Sequence, residues 1–308
     1  MLALLFGLGI ALAAFAEPNH DPYPLGEAKR IVFLGNSITY AGGYVSLFEC
    51  FYRQHYPDSN AEIINAGLPS ETVSGLSEPN HADGAFPRPW LFNRLAKLLE
   101  KTSPDVAFAC YGMNDGIYLP FDETRFEVFK TGMIRLRNEL EQAGVKRIIF
   151  LTPPVHDDPD SGLKGYNVVL DRYAQWLLEQ RKLRGWEVVD LHFTMSAYLT
   201  ERRKTHPEYR LAEDGVHPAT EGHWLMAKAL FAYCYPGADE PLNMDAFLNG
   251  SPEIANLYKL VSQRQAFMKD AWLTYTGHDR PGMKQGVPMK QAQKAYLRMA
   301  RTIRRIIR

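Results

Sequence analysis

Short apolar runs alternate with longer amphipathic segments through most of this chain. The short runs are five or six residues long and rich in β-branched and aromatic side chains, which is typical of buried strands. They cover residues 30–34, 61–65, 106–111, 147–151 and 186–191. The segments with apolar residues on one helical face cover residues 45–55, 89–101, 126–143, 166–184 and 218–233. The alternation predicts βαβ units, and therefore a three-layer αβα fold around a five-stranded parallel sheet.

The pattern changes after the last of these segments. An irregular stretch comes first, and beyond it residues 253–275 and 289–307 are helical stretches on either side of a turn broken by glycines and prolines. The sequence therefore predicts a main domain over residues 17–236. A linker and a C-terminal helical hairpin are predicted over residues 237–308.

The N-terminal residues are typical of an export signal. Residues 1–16 carry no charge and end in Ala14-Phe15-Ala16, a small-x-small pattern that suits cleavage before Glu17. The segment lacks the usual Lys or Arg at its start, and it is shorter than the roughly 20 apolar residues that span a membrane. We expect a signal peptide over residues 1–16, a secreted or periplasmic protein and no stable membrane insertion.

The net charge limits the classes of binding partner, and the cysteine count limits the number of disulfide bonds. The 35 basic and 35 acidic residues cancel, so the chain has no net field that attracts nucleic acid or an anionic membrane. We therefore expect a small-molecule or glycan substrate and no nucleic acid. The three cysteines are too few for a disulfide scaffold. Cys110 is expected to be a buried thiol, and one bridge between Cys50 and Cys234 is an alternative to free thiols.

An acidic stretch with one histidine follows the fourth predicted strand. It contains His156, Asp157, Asp158 and Asp160. The residues alone allow a cation site or a solvated acidic loop, and we expect the solvated loop because acidic loops are more often only hydrated. No metal is therefore predicted.

Ser37 stands where the first strand is expected to end. The apolar run before it is broken by Gly35, which allows a tight turn at the carboxyl end of a parallel strand, the edge where α/β sheets bind ligands. A hydroxyl at that edge is a candidate nucleophile. Serine is also a favoured N-cap residue, so the stretch alone is consistent with a helix cap as well.

Other residues could activate a serine and stabilise the charge that its attack creates. Asp214 and His217 lie three residues apart in a turn-rich segment, so one loop could supply a base and the carboxylate that orients it. Candidate oxyanion donors are the N–H groups of Ser37 and Gly67 and the side-chain amide of Asn114. Taken singly, the pair is explained slightly better as a polar turn that caps the next helix, and the donor candidates are equally consistent with turn residues.

The joint order of four short blocks carries more information than any one of them. The blocks are Gly35-Asn36-Ser37-Ile38-Thr39, Asn65-Ala66-Gly67, Gly112-Met113-Asn114-Asp115 and Asp214-Gly215-Val216-His217-Pro218. Together they resemble the signature blocks of the SGNH (GDSL-type) hydrolase family over roughly residues 30–235. Asn36 replaces the Asp that names the GDS motif, and the run after Gly67 is less glycine-rich than in the family. The resemblance implies a flavodoxin-like αβα fold.

The resemblance also implies roles for the candidate residues. Ser37 would be the nucleophile, His217 the general base and Asp214 its orienting carboxylate. The oxyanion donors would be Ser37, Gly67 and Asn114, and no cofactor is implied. The expected activity is that of a secreted serine esterase that removes a small acyl group from a carbohydrate, and the expected acyl group is acetyl. The alternatives are a lipid-directed esterase, lysophospholipase or thioesterase and, in another class, a non-catalytic glycan-binding module.

Overall fold

The centre of the molecule is a sheet of five parallel strands. The computed structural model describes residues 22–157, 165–239, 241 and 243–308. The strands are β1 (Arg30–Gly35), β2 (Glu62–Asn65), β3 (Val106–Cys110), β4 (Arg147–Leu151) and β5 (Glu187–Val189). Their order across the sheet is β2-β1-β3-β4-β5, and every neighbouring pair is parallel. The predicted three-layer α/β fold with a five-stranded parallel sheet is confirmed.

Helices connect and cover these strands. They are α1 (Ser37–Ala41), α2 (Gly43–His55), α3 (Leu95–Thr102), α4 (Glu123–Gln142), α5 (Tyr166–Arg184), α6 (His192–Thr205), α7 (Thr220–Cys234), α8 (Met244–Asn249), α9 (Pro252–Thr276) and α10 (Met289–Ile306). Short 3₁₀ turns cover Leu25–Glu27, His81–Gly84 and Leu91–Asn93. The sequence missed α6, since only three of its residues are buried and its apolar face is weak. It also missed α8 inside the predicted linker.

The strands are mostly apolar because both faces of the sheet are covered. Phe33 of β1 is fully buried, and its ring stacks on that of Phe108 of β3 with centroids 4.5 Å apart. Phe48 of α2 meets Phe33 edge-on at 5.2 Å. Side chains from neighbouring strands and from a helix thus fill the same layer, which explains why these strands are continuous apolar runs rather than alternating ones.

The C-terminal helices dock on the β2 side of the sheet through a buried ion-pair network. Helix α9 packs against α2, β2 and α10. Glu49 of α2 is fully buried and pairs with Arg53 of its own helix and with Arg264 of α9. Gln265 of α9 donates a further hydrogen bond to Glu49 at 2.7 Å. A buried carboxylate requires such partners, so α9 belongs to the packed structure. The division at residue 236 stays a prediction.

The sequence also makes predictions about the N-terminal segment, the acidic stretch, the thiols and membrane insertion. The proposed signal peptide lies outside the described residues, as do Asp158 and Asp160 of the acidic stretch. Cys50, Cys110 and Cys234 are all free thiols, so the alternative of a bridge between the first and the last is wrong. In the described ranges, none of the helices combines the length and the apolar character that crossing a bilayer requires.

Candidate active site

Ser37 is presented by a tight turn between β1 and α1. Asn36 is the N-cap residue of α1, and its side-chain oxygen accepts a hydrogen bond from the Ile38 N–H at 3.0 Å. Gly35 has a φ of 159°, and a Cβ there would lie 2.1 Å from Thr39 Oγ1. Glycine is therefore required at the strand end. The alternative that Ser37 itself caps the helix is wrong, because Asn36 holds that position and leaves the Ser37 hydroxyl available.

His217 and Asp214 lie on the loop that leads into α7. His217 Nε2 is 2.7 Å from Ser37 Oγ, and His217 Nδ1 is 2.6 Å from Asp214 Oδ2. The other carboxylate oxygen accepts hydrogen bonds from the backbone N–H groups of Val216 at 2.9 Å and His217 at 2.8 Å. A continuous chain of contacts thus runs from the hydroxyl through the imidazole to the carboxylate.

The hydrogen bonds around Asp214 fix the protonation pattern of this chain. Burial opposes ionisation of Asp214, but hydrogen bonds from the His217 side chain and from two backbone N–H groups outweigh it and lower the pKa of the carboxyl. An ionised carboxylate only accepts hydrogen bonds, so His217 Nδ1 carries a proton. His217 Nε2 is then left to accept the proton of the Ser37 hydroxyl, as a general base requires.

A second histidine, His223 of α7, lies near the first. It is 9% exposed, and its Nδ1 accepts a hydrogen bond from the Tyr44 N–H at 3.3 Å. Burial and the nearby charge of His217 lower the pKa of His223 to about 4. His223 is therefore neutral near neutral pH, and it places no second positive charge beside His217 when that imidazole takes up a proton.

Asp157 fixes the loop of residues 211–218. The carboxylate is 2% exposed, pairs with Arg203 and accepts hydrogen bonds from the backbone N–H groups of Leu211 and Ala212. The partners of Asp157 are a guanidinium and backbone N–H donors, so this residue of the acidic stretch stabilises the loop and does not act as a cation ligand here. Within the described residues, no three His, Cys, Asp or Glu side chains are grouped as metal ligands.

Gly67 lies directly against α1. A Cβ at this position would come within 2.4 Å of the Tyr40 nitrogen and 2.8 Å of the Thr39 carbonyl carbon, so the close approach requires glycine. The Gly67 N–H donates to the Asn65 side-chain oxygen at 3.0 Å. It is therefore engaged in this structure, and the role of Gly67 as an oxyanion donor stays a prediction. The Ser37 N–H, at the first position of α1, has no intrahelical acceptor.

Asn114 lies in the turn after β3, and its amide is held at both ends. Its Oδ1 accepts a hydrogen bond from the Tyr118 hydroxyl at 3.0 Å, and its Nδ2 donates to the Glu71 carbonyl oxygen at 3.2 Å. Burial raises the pKa of Tyr118, so this hydroxyl keeps its proton and remains a donor. The donor and the acceptor together fix which end of the amide is nitrogen, and one Nδ2 hydrogen remains for a ligand.

Two buried carboxylates join the loops that follow β2 and β3. Asp115 is fully buried and accepts hydrogen bonds from the backbone N–H groups of Val73 and Ser74, both at 2.9 Å. Glu71 is also fully buried; it pairs with Arg94 through N···O contacts of 2.6 and 2.7 Å and accepts a hydrogen bond from the hydroxyl of Tyr111, directly after β3, at 2.7 Å. Motif reasoning did not find these supports, because the partners lie far apart in the sequence and follow no periodic pattern.

The same two loops contain unusual backbone conformations. Ser70, Ile117 and Tyr118 have φ values of 67°, 50° and 55°, in the left-handed region that non-glycine residues rarely adopt. Each such residue costs on the order of 1–3 kcal/mol, and strain of this kind is concentrated at functional sites. Among the described residues, no hydrogen bond engages the Ser70 N–H. The sequence contains no signal for this strain.

The residues that form this site lie within a range that matches a known protein family. A model of the GDSL-like lipase/acylhydrolase family matches residues 33–225, which is more than half of the chain. The chain belongs to this family. The matched range of this GDSL-type hydrolase begins inside β1 and ends inside α7, so it contains Ser37, Asn114 and His217, whereas α8 to α10 lie beyond it. The family resemblance found in the sequence is confirmed.

Individual relatives of this GDSL-type hydrolase agree with the family match. An acetylxylan esterase from Geobacillus stearothermophilus is 24% identical over 226 residues, which are 67% of this chain and 93% of that protein. A crystal structure of an acetylxylan esterase from the same organism has a TM-score of 0.53 and 21% identity, and the match covers 68% of this chain and 95% of that one.

A second solved structure extends the likeness of the fold. A gut microbial diltiazem-metabolizing enzyme has a TM-score of 0.56 and 22% identity. The match covers 70% of this chain and 48% of that one, so the GDSL-type hydrolase spans about half the length of that enzyme. Membership of the GDSL-like lipase/acylhydrolase family identifies the protein as a carboxylic ester hydrolase, and the solved structures share its fold.

Proposed function

We propose that this protein is a secreted serine esterase that removes small acyl groups, acetyl above all, from a carbohydrate. The observation that carries the proposal is the contact chain from Ser37 Oγ to His217 Nε2 at 2.7 Å and from His217 Nδ1 to Asp214 Oδ2 at 2.6 Å. A serine hydroxyl becomes an effective nucleophile when a base oriented by a carboxylate takes its proton.

Acylation begins with attack of Ser37 Oγ on the carbonyl carbon of the ester. The hydroxyl proton passes to His217 Nε2, and the carbonyl π electrons move to the oxygen, which becomes the oxyanion of a tetrahedral intermediate. Asp214 stabilises the imidazolium that forms. When the intermediate collapses, the bond to the sugar oxygen breaks, and His217 returns the proton to that oxygen. The sugar alcohol leaves, and the acyl group remains on Ser37.

Deacylation repeats these steps with water as the nucleophile. His217 Nε2 takes a proton from the water as it attacks the acyl carbon, and it then protonates Ser37 Oγ as acetic acid leaves and ionises in solution. In both halves the Ser37 N–H and the Asn114 amide are the proposed oxyanion donors. A third donor would come from the following loop: either Gly67, after its N–H releases Asn65, or Ser70, whose N–H is engaged by no described hydrogen bond.

Two features support a large, uncharged substrate. The side chains of His217 and Asp214 are 48% and 56% exposed, so the reacting groups lie at an open surface that an extended glycan can approach. The net charge of zero gives no attraction for a strongly charged partner. The similarity to an enzyme named acetylxylan esterase agrees with an acetylated polysaccharide as substrate. Export through the N-terminal signal would bring the enzyme to such a polymer.

Substrate screening tests the acyl and carbohydrate assignments directly. Purified enzyme incubated with a panel of acetylated glycans is expected to release acetate from at least one of them. In a p-nitrophenyl ester series, kcat/KM for acetate is expected to exceed that for octanoate by at least about tenfold, because a small acyl site cannot bury a long chain. A preference for C8 or longer esters would instead assign the enzyme to lipid or thioester substrates.

The proposed oxyanion role of Asn114 predicts a loss in kcat rather than in KM. Asn114→Ala removes a donor to the developing charge and is expected to lower kcat by about 10²–10³-fold with a smaller change in KM. Tyr118→Phe keeps the ring but releases Asn114 Oδ1, and we expect a smaller loss, about tenfold, also in kcat. Steady-state kinetics on one soluble acetate ester measures both.

The matched control for this pair is Tyr275→Phe. Tyr275 is 42% exposed on α9, and losing its hydroxyl is expected to leave kcat unchanged. If Asn114→Ala raises KM and leaves kcat intact, the amide binds the ground state and is not an oxyanion donor.

A further inference from the structure

The helix that carries Ser37 is too short to hold itself in place. Helix α1 has five residues, Ser37 to Ala41, and helices of that length are unstable without outside contacts. Hydrogen bonds to its C-terminal carbonyl groups therefore help to hold it in place. The Thr39 carbonyl accepts a hydrogen bond from Asn65 Nδ2 at 2.6 Å. The Tyr40 carbonyl accepts one from Lys269 Nζ at 2.8 Å. The second partner comes from α9, outside the residues that the family model matches.

Tyr40 is held at its side chain as well as at its carbonyl. Lys269 Nζ lies 3.8 Å from the centroid of the Tyr40 ring, within the range of a cation–π contact. The Tyr40 hydroxyl donates to Asp270 Oδ1 at 2.9 Å. Burial and the adjacent Asp270 raise the pKa of Tyr40 to about 12, so the hydroxyl keeps its proton. Two neighbouring residues of α9 thus contact the same residue of α1, three positions after Ser37.

Lys269 and Asp270 are themselves held by burial and by a further ion pair. Asp270 is 5% exposed and pairs with Lys284, from the turn between α9 and α10, at 3.1 Å. Lys269 is partly buried, and burial lowers its pKa although Asp270 opposes the shift. A cation at the C-terminal end of a helix is also favoured by the helix dipole. The hairpin therefore presents an ordered lysine and an ordered carboxylate to α1.

A cavity borders the turn after α1 on the side of α9. A cavity of about 260 Å³ is bordered by the glycines that follow the helix and by side chains of α9. Its lining includes Gly42, Gly43, Asn65, Gln265, Ala266 and Lys269. Because the cavity leaves a gap in the packing between the turn and α9, the directional contacts of Lys269 and Asp270 link α9 to α1, in addition to the hydrogen bond that Asn65 donates to α1.

We propose that Lys269 and Asp270 are positioning residues that hold α1 so that Ser37 Oγ stays within hydrogen-bond reach of His217. The C-terminal helices, which lie outside the family match, thereby complete the active site of this enzyme. The inference rests on the proposed role of Ser37 as nucleophile. Neither α9 residue touches the reacting atoms, so both act through Tyr40.

The test compares Lys269→Met with Lys269→Arg and with Tyr40→Phe. Methionine keeps the apolar stem of lysine but loses the donor and the charge. Lys269→Met is expected to lower kcat and the rate of fluorophosphonate labelling by about tenfold, with KM changed less than about twofold, because the nucleophile is misplaced while the substrate site is intact. Tyr40→Phe is expected to lower both rates less. Lys269→Arg, which restores a cation and a donor, is expected to recover most of the loss.

Two controls separate positioning from general stability. Lys259→Met removes an exposed lysine of the same helix and is expected to leave labelling unchanged. Leu257→Ala deletes a buried α9 side chain, 1% exposed, without touching Tyr40. If Leu257→Ala slows labelling as much as Lys269→Met at a similar loss in Tm, or if Lys269→Met labels at the wild-type rate, the positioning role is wrong. If the wild-type enzyme itself does not label, the proposed function fails first.

Discussion

Ser37→Ala is expected to abolish turnover, lowering kcat by about 10⁶-fold, the scale observed when a triad nucleophile is removed. The described side-chain contact of Ser37 is the one with His217 Nε2, so the fold loses almost nothing. Thermal unfolding should therefore be unchanged, while hydrolysis of a p-nitrophenyl acetate falls to the background rate. Both are measured on the same preparation, by calorimetry and by absorbance.

A matched hydroxyl deletion makes this result specific. Ser196→Ala removes a half-buried hydroxyl on α6 that is not part of the chain from Ser37 to Asp214, and it is expected to keep full activity. Residual turnover above about 1% of wild type in the Ser37 variant would show that another group attacks the ester, and the Ser37–His217 contact would then have no catalytic meaning.

Asp214→Asn is expected to lower kcat by about 10⁴-fold, as in other triads where the orienting carboxylate becomes an amide. The amide oxygen can still accept from the N–H groups of Val216 and His217, so the loop keeps its shape. What is lost is the negative charge that holds a proton on His217 Nδ1 and stabilises the imidazolium. Steady-state kinetics with Glu213→Gln, an exposed neighbouring carboxylate, as control measures the effect. A loss of less than about tenfold would exclude the orienting role.

The pH dependence of the wild-type enzyme follows from the same carboxylate. The pKa of Asp214 is lowered in the folded protein, so its ionised form and its contact with His217 persist at pH values where an ordinary carboxyl begins to protonate. As pH falls, the contact is lost only below that range. The acid limb of kcat/KM is therefore expected to report protonation of His217, and Asp214→Asn should reduce the plateau. A flat acid limb would exclude His217 as the base.

Features that depend on local sequence could be predicted. The apolar runs give all five strands, because a parallel sheet covered on both faces imposes a continuous pattern. The turn that presents Ser37 is encoded by Gly35 and Asn36. Asp214 and His217 are three residues apart, so one loop brings them into contact without help from the rest of the fold. Only the meeting of Ser37 with His217, 180 residues away, needs the parallel topology, which follows from the strand pattern.

Features that depend on distant partners could not be predicted. The Asn114 amide is held by Tyr118 and by a backbone carbonyl 43 residues away, and no sequence pattern marks such a pairing. The hydrogen bond from Lys269 Nζ to the Tyr40 carbonyl joins residues that are 229 positions apart in the sequence. Gly67 carries a recognisable block, yet the steric need for glycine there and the use of its N–H by Asn65 emerge only in three dimensions.

Covalent labelling shows whether Ser37 is a nucleophile activated by His217. The enzyme is treated with a fluorophosphonate, digested and mapped by mass spectrometry, with His217→Ala treated in parallel. We expect one phosphonylated peptide with the adduct on Ser37, formed at a much lower rate in the His217 variant. An adduct on a different residue, or an unmodified Ser37 in an enzyme that still hydrolyses acetate esters, would contradict it.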